Sequence, residues 1–201
     1  MKGKIWFVKW GIKMKIVSDI DECVVEYLQG FCDFYNDEVG GDLVLEHWDF
    51  KNFSFQKTLG ISAVESDKIR EEYMMSKYFD NMKFIDGARE GIEKLASKHD
   101  LVFVTNRPGN HKVKTRMCYD YNFPNRNFDI YFEDGCKLDR IVKLGADLII
   151  EDSPSSLKYA EEGFRVLLFD RKWNRDVEHE NIYRCENWGK IISVVDGFDN
   201  V

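Results

Sequence analysis

Short, uninterrupted apolar runs alternate with amphipathic segments along most of the chain, and four of these runs are followed directly by polar residues. Strands of a parallel sheet have this pattern when helices cover both faces of the sheet, because both faces of each strand are then buried. The pattern therefore predicts a doubly wound α/β fold in which strands alternate with helices. The runs are residues 15–17, 101–104, 147–150 and 166–169, and a further strand is predicted at residues 128–132.

Apolar residues at helical spacing fill the intervals between the predicted strands. In the interval before residue 101, Ala88, Ile92 and Leu95 fall on one face of a helix. Gly145 and Gly163 each follow the end of a predicted helix, where a glycine in the left-handed conformation commonly stops the helix. The predicted helices of this part span about residues 86–96, 110–121, 137–144, 153–162 and 187–192.

The interval between Asp19 and Thr105 is far longer than one strand-helix-strand unit needs. The first strand is therefore followed by an insert. Its ends, residues 24–36 and 62–78, are predicted helices, and residues 46–55 between them are rich in aromatic side chains. The predicted organisation is an N-terminal extension at residues 1–13, a core domain at residues 14–24 and 84–201, and a small, mainly helical cap at residues 25–83.

Composition and charge narrow the class of protein. The chain of 201 residues, with 44% hydrophobic and 32% charged residues, can bury the core of one domain with an insert. Its net charge of −7 argues against a nucleic-acid duplex as partner, because binding a duplex needs a basic surface. No apolar run is long enough to span a membrane, and residues 1–13 lack the apolar stretch and cleavage site of a signal peptide. Five scattered cysteines indicate free thiols and a cytoplasmic protein.

The extension itself leaves several interpretations open. It contains several lysines around Trp6 and Trp10. An additional strand, a disordered tail and a translation start at Met14 are the alternatives that we favour for this segment.

Candidate catalytic residues follow the ends of the predicted strands. Asp19 and Asp21 follow the first run after Ser18, and Thr105 comes directly after the second. Glu151 and Asp152 follow the third. Because open α/β sheets bind ligands at the carboxyl ends of their strands, these polar side chains are expected to lie together. Two close carboxylates repel each other unless a cation or a proton lies between them, so the Asp-x-Asp pair indicates a hard divalent metal, an acid–base pair or both.

The order of these residues resembles the motifs of the haloacid dehalogenase superfamily of phosphotransferases. The motifs are Asp19-Ile20-Asp21, then Thr105, then Lys137, then Glu151-Asp152, and the insert after the first motif is similar to a C1-type cap. In finer detail the chain resembles the 5′(3′)-deoxyribonucleotidases. This narrower resemblance rests on residues 104–108, 148–153 and 167–175. The chain departs from the pattern at Glu22-Cys23, where such enzymes usually carry glycine followed by threonine or valine.

The resemblance implies a mechanism in which Asp19 attacks phosphorus and forms an aspartyl phosphate. It implies that Asp21 protonates the leaving oxygen and then activates water. Mg²⁺ is the implied cofactor, since it prefers oxygen ligands. The implied metal residues are Asp19, the backbone carbonyl of Asp21 and Asp152, with Glu151 as a further ligand or a residue behind the ligands.

The resemblance also implies phosphate-binding roles for Thr105, for the backbone amide of Asn106 and for Lys137. Lys143 is the alternative to Lys137, and Thr105 could instead only cap a turn. Three further residues are candidate substrate contacts, because aromatic rings can stack on a nucleobase and arginine can bind an anion. The alternative is that the aromatic residues form the core of the cap and that the arginine is a loop residue. These three are Trp48, Phe50 and Arg107.

The sequence therefore predicts a Mg²⁺-dependent phosphomonoester hydrolase whose substrate is a small phosphorylated molecule, with a nucleoside monophosphate as the favoured choice. A homodimer is one assembly that we consider. A phosphatase or phosphotransferase acting on another small phosphorylated metabolite is the alternative. A phosphoacceptor receiver domain is disfavoured, because its acidic pair would come first in the chain and because a long insert has no place in it.

Overall fold

A six-stranded parallel sheet lies at the centre of the computed structural model, which describes residues 13–40 and 44–199. Its inner strands are buried on both faces, as the uninterrupted apolar runs predict. The predicted N-terminal extension, up to residue 12, lies outside the described residues. The strands are β1 (Lys15–Ser18), β2 (Asp100–Thr105), β3 (Ile130–Phe132), β4 (Leu148–Glu151), β5 (Arg165–Phe169) and β6 (Ile182–Cys185).

The strand order is β3-β2-β1-β4-β5-β6, so that β1 lies between β2 and β4. Val17 of β1 pairs with Val102 of β2 on one side and with Ile149 of β4 on the other. The chain adds β2 and β3 on one side of β1 and then returns to add β4, β5 and β6 on the other. This reversal places the carboxyl ends of β1, β2 and β4 beside one another, at the point where open α/β sheets bind ligands. The predicted doubly wound α/β fold is confirmed.

The edge strand β6 is not predicted by the sequence pattern. Ile182, Tyr183 and Arg184 are only half-buried, and Cys185 alone is fully buried. A short edge strand with one polar residue does not produce the uninterrupted apolar run that marks the inner strands.

Residues 25–83, here called the helical insert, have a hydrophobic core of their own. Phe31 and Tyr73 are completely buried at its centre and meet edge to face, with their ring centroids 5.5 Å apart. The pattern predicts one helix over residues 62–78, but the structure has two, because the Ser76 side chain accepts a hydrogen bond from the Tyr78 amide and begins a new helix. The helices are α1 (Tyr27–Phe34), α2 (Phe55–Leu59), α3 (Ala63–Met74) and α4 (Lys77–Asp80), with a π-helical turn at Tyr35–Val39 and a 3-10 turn at His47–Asp49.

The remaining helices cover the two faces of the sheet. One face packs against Ile92, Tyr119 and Trp188, and the other packs against Ile141 and Tyr159. The described residues contain no helix that is both long and apolar enough to cross a membrane. The helices that cover the sheet are α5 (Ala88–Lys98), α6 (Lys112–Asn122), α7 (Leu138–Leu144), α8 (Ser156–Glu161) and α9 (Trp188–Phe198), with 3-10 turns at Gly109–His111 and Lys172–Asn174.

The close packing of α5 against Trp188 gives a stability prediction. A Cβ atom on Gly91 would lie 2.3 Å from Cε3 of Trp188. The Trp188 ring cannot easily shift, because it is buried and its Nε1 donates to the carbonyl of Cys23 at 2.9 Å. We therefore expect Gly91→Ala to lower the free energy of unfolding, measured with urea, by about 1–3 kcal/mol.

The matched control is Gly197→Ala in α9, where an added Cβ has no neighbour within 4 Å. This control should leave stability unchanged or raise it slightly, because alanine favours a helix over glycine. Equal stabilities of the Gly91 and Gly197 variants would contradict the described packing of α5 on Trp188.

Candidate active site

A cavity of about 530 Å³ lies at the carboxyl ends of β1, β2 and β4, between the sheet and the helical insert. Its sheet side is formed by residues that follow the strands, and its other side by side chains of the insert, Tyr27 and Phe53 among them. Most of the predicted site residues therefore lie around one space. Those that line it are Asp19, Asp21, Phe50, Thr105, Asn106, Arg107, Lys137 and Asp152.

A buried lysine connects two of the carboxylates. The Nζ atom of Lys137 lies 2.7 Å from Oδ2 of Asp19 and 3.1 Å from Oε2 of Glu151. Burial by itself would lower the pKa of Lys137, but the charges of Asp19 and Glu151 raise it, so the ammonium group stays charged. Lys137 directly precedes α7, which fixes its backbone beside β1 and β4. Lys143, the alternative in the sequence, is exposed on α7 and does not line the cavity.

The two acids that contact Lys137 have pKa values shifted in opposite directions. Burial raises the pKa of Asp19 to about 7, although the charge of Lys137 acts against this rise. Burial would also raise the pKa of Glu151, but there the charge of Lys137 prevails and holds the pKa below its usual value. Oε1 of Glu151 also accepts from the backbone amides of Asp152 and Ser153, at 3.2 and 3.3 Å. Both carboxylate oxygens of Glu151 therefore accept hydrogen bonds from protein donors.

Three carboxylates form a cluster whose chemistry fits Mg²⁺. Asp19, Glu151 and Asp152 each offer an oxygen atom, and these oxygens lie within 4.8 Å of one another. Burial, together with the charges of Glu151 and Asp19, raises the pKa of Asp152 well above its usual value. A divalent cation would relieve this repulsion, and carboxylate oxygens are its preferred ligands. Asp19 and Asp152 line the cavity whereas Glu151 does not, so Asp19 and Asp152 are the better placed ligands.

The carboxylate of Asp21 points away from this cluster and towards Arg107. Nη2 of Arg107 lies 2.5 Å from Oδ1 of Asp21, and Nε lies 3.1 Å from both carboxylate oxygens. The guanidinium also donates to Oγ1 of Thr115 at 3.2 Å and lies over the ring of Phe79 in α4, 4.9 Å from its centroid. Arg107 therefore orients Asp21 and connects it to the helical insert. Its predicted contact with substrate stays a prediction.

Thr105 and Asn106 follow β2 and face the loop that precedes α7. The buried Oγ1 of Thr105 accepts from the Arg107 amide at 3.2 Å, so its own proton remains free to be donated. Nδ2 of Asn106 donates to the carbonyls of Glu133 and Gly135, at 3.3 and 2.6 Å. The Asn106 side chain thus holds two loops together, and a phosphate contact from this residue would come from its backbone amide.

The aromatic residues of the insert occupy three different environments. Phe50 is 2% exposed and packs against Phe31 and Phe55 in the core of the insert, so that little of its ring reaches the cavity. Trp48 is half exposed and lines a neighbouring cavity of about 360 Å³, outside the space that holds the aspartates. Phe53 is 63% exposed and lines the main cavity itself. Of these aromatic rings, that of Phe53 is therefore the most accessible to a substrate.

Sequence reasoning missed two polar residues of the insert that line the cavity. The Tyr27 hydroxyl and Nε of Arg70 are buried at the cavity wall, and the Arg70 side chain lies beside the Tyr27 hydroxyl. Burial raises the pKa of Tyr27 to about 12, and the nearby charge of Arg70 acts against this rise. The sequence held no signal for either, since Tyr27 fits the apolar side of α1 and Arg70 belongs to a highly charged stretch of α3.

Glu22, where the resembling enzymes usually carry glycine, has a backbone φ of +56°. Glycine adopts this left-handed region without cost, whereas other residues need compensating contacts. Oε1 of Glu22 accepts from the Leu28 amide at the start of α1, at 2.7 Å, and its backbone carbonyl accepts from Nη2 of Arg171, also at 2.7 Å. Glu22 therefore anchors the first helix of the insert to the sheet domain.

Comparison with known proteins agrees with this geometry. The sequence profile of the family described as 5′ nucleotidase, deoxy (pyrimidine), cytosolic type C protein matches residues 13–196. The chain belongs to this nucleotidase family. A nucleotidase of Clostridium acetobutylicum is 29% identical over 155 residues, which cover 74% of this chain and 77% of that protein. A candidate nucleotidase of Halalkalibacterium halodurans is 25% identical over 181 residues, covering 89% of this chain and 90% of that protein.

Solved structures show the same fold. A haloacid dehalogenase-like hydrolase from Streptococcus pneumoniae superposes with a TM-score of 0.67 at 14% identity, covering 91% of this chain and 98% of that one. The structure therefore shares the fold of haloacid dehalogenase-like proteins. The family match and the relatives confirm the predicted nucleotidase family and enzyme class, and the chain is an enzyme of the phosphatase and nucleotidase class.

The position of Lys137 predicts the effect of removing its charge. In Lys137→Met, the buried carboxylates of Asp19 and Glu151 lose their shared cation. We expect kcat for phosphate release to fall by about 10²–10³-fold, the usual loss when one electrostatic donor is removed from an active site. Lys143→Met, on the exposed face of α7, is the matched control and should retain near-normal kcat. The opposite ranking of the two variants would assign the role to Lys143.

Proposed function

We propose that the chain is a Mg²⁺-dependent 5′-nucleotidase that hydrolyses (deoxy)nucleoside monophosphates through an aspartyl-phosphate intermediate. The observation that carries this proposal is the carboxylate of Asp19, 2.7 Å from the Lys137 ammonium and beside Asp152 at the carboxyl end of β1. A neighbouring cation favours the ionised carboxylate, which is the nucleophilic form.

Each step of the proposed reaction uses a residue that the cavity brings together. Asp19 attacks phosphorus, and the bond from phosphorus to the leaving oxygen breaks as Asp21 donates a proton to that oxygen. Asp21 then takes a proton from water, which attacks phosphorus, releases phosphate and restores Asp19. Lys137 and Thr105 hold the phosphate oxygens while negative charge moves between them. Asp19, Asp152 and the carbonyl of Asp21 would hold Mg²⁺, which would supply the charge that lets an anionic carboxylate approach an anionic phosphate.

The insert side of the cavity supports a nucleoside as the leaving group. A cavity of about 530 Å³ falls within the usual range for small-molecule sites. The exposed ring of Phe53 offers a surface on which a nucleobase can stack. The buried Tyr27 hydroxyl and Nε of Arg70 can donate to acceptors on the base or the sugar. In this proposal residues 25–83 act as the cap that covers the substrate.

A cytoplasmic location and a homodimer are also expected. A cytoplasmic location is supported by the five cysteines, all of which are free thiols. The homodimer stays a prediction.

The nucleophile is tested with Asp19→Asn, which preserves the size of the side chain and removes its charge. We expect Mg²⁺-dependent phosphate release from a panel of nucleoside monophosphates, sugar phosphates and an aryl phosphate to be abolished, with an unchanged circular dichroism spectrum. Asp120→Asn, at an exposed position on α6, is the matched control and should remain active. Near-normal turnover by Asp19→Asn would show that another group attacks phosphorus.

Substrate stacking is tested by comparing Phe53→Ala with Trp48→Ala. Stacking of a base on an aromatic ring contributes about 1–3 kcal/mol, so loss of the Phe53 ring should raise KM for a nucleoside monophosphate by about tenfold or more. KM for a small aryl phosphate should change much less, because an aryl phosphate is too short to place its ring against Phe53 of the insert. A selective rise for Trp48→Ala instead of Phe53→Ala would restore the assignment made from the sequence.

A further inference from the structure

The turn that follows β5 holds one carboxylate of the acidic cluster. Nε1 of Trp173 lies 3.1 Å from Oδ2 of Asp152 and 3.1 Å from its backbone oxygen. Nδ2 of Asn174 donates to the same backbone oxygen at 2.6 Å and to the carbonyl of Phe169 at 2.8 Å. The indole N–H therefore donates a hydrogen bond to Oδ2 of Asp152. Oδ1, which has the Cys23 thiol 4.0 Å away, remains available to a metal ion.

The same tryptophan belongs to the packing of the helical insert. Its ring contacts the hydrophobic core of the insert and forms part of the wall of both the main and the neighbouring cavity. Nζ of the preceding residue, Lys172, donates to the backbone carbonyl of Trp48 at 3.0 Å. The turn at residues 171–174 thus contacts the insert with one side of Trp173 and the acidic cluster with the other.

We infer that Trp173 is a positioning residue for the metal site, which orients the Asp152 carboxylate as long as the helical insert is docked on its ring. Donors behind a metal-binding carboxylate fix its rotamer, and their removal commonly weakens metal binding by about 10–100-fold. Displacement of the insert would remove the packing of the indole ring and with it the donor to Oδ2. Metal binding and insert docking therefore stabilise each other, since such a coupling is reciprocal.

This inference rests on the proposed function, in which Asp152 binds a divalent cation. Trp173 itself has no proposed contact with the reacting atoms. Replacing Trp173 is therefore expected to change the affinity for metal even in the absence of substrate, and this change can be measured without turnover.

The test is the affinity of the full chain for Mn²⁺, measured by isothermal titration calorimetry without substrate. Trp173→Phe keeps an aromatic ring against the insert but removes the N–H, and we expect its Kd for Mn²⁺ to rise by about tenfold or more. Asp176→Asn, at an exposed position just after the same turn, is the matched control. It leaves the N–H of Trp173 in place and should keep Kd within about twofold of the wild type. An unchanged Kd in Trp173→Phe would overturn the inference.

A second measurement tests the coupling to the insert. Mn²⁺ should slow the cleavage of the helical insert by trypsin in the wild type and should have little effect in Trp173→Phe. Equal protection of both proteins by Mn²⁺ would overturn the inference. If Trp173→Phe does not fold, replacement of Trp173 by its isostere benzothienylalanine, which carries sulfur in place of N–H, serves in both experiments.

Mn²⁺ binding by the wild type distinguishes a failure of this inference from a failure of the proposed metal site. A wild-type chain that binds no Mn²⁺ overturns the metal site itself, and the inference falls with it. A wild-type chain that binds Mn²⁺, with a Trp173→Phe variant of equal affinity, leaves the metal site intact and overturns only the role of Trp173.

Discussion

The buried contact of the Lys137 ammonium with the carboxylates of Asp19 and Glu151 is the interaction on which the rest of the site depends. Charges removed from water are costly unless they are paired with good geometry. Here β1, β4 and the start of α7 each bring one charged group to the same place, and the lysine contacts two acids of a cluster of three. The cluster therefore carries an excess of negative charge, which suits a divalent cation. Burial and, after it, the charges of the neighbouring acids raise the pKa values of Asp19 and Asp152.

The helical insert is joined to this centre by side chains that are already engaged with acidic residues. Arg107 holds Asp21 with its guanidinium and lies over Phe79 of the insert. Trp173 donates to Asp152 and packs against the core of the insert. The insert has its own hydrophobic core, and these contacts join it to the sheet domain. In this arrangement the position of the insert and the orientation of the acidic side chains influence each other.

The fold and the charged centre could be predicted from the sequence because each leaves a local signal. Strands buried on both faces are uninterrupted apolar runs, and Asp19, Thr105 and Asp152 follow such runs at once. Contacts that depend on the docking of the insert leave no such signal. Neither the burial of the Tyr27 hydroxyl nor the bond from Trp173 to Asp152 has a local pattern, and exposure alone distinguishes Phe53 from Phe50. The sequence shows Glu22 as a departure from the family pattern, but its left-handed backbone and its contacts with α1 are visible only in the structure.

The central claim, that Asp19 becomes phosphorylated, is tested most directly by rapid-quench analysis of a single turnover. Enzyme in excess is mixed with a nucleoside monophosphate carrying ³²P, quenched at successive times, and mapped by peptide mass spectrometry. The account predicts a transient label that requires Mg²⁺, is released by hydroxylamine and lies on the peptide containing Asp19. Formation of labelled phosphate with no labelled protein at any quench time would contradict it, because water would then attack the substrate directly.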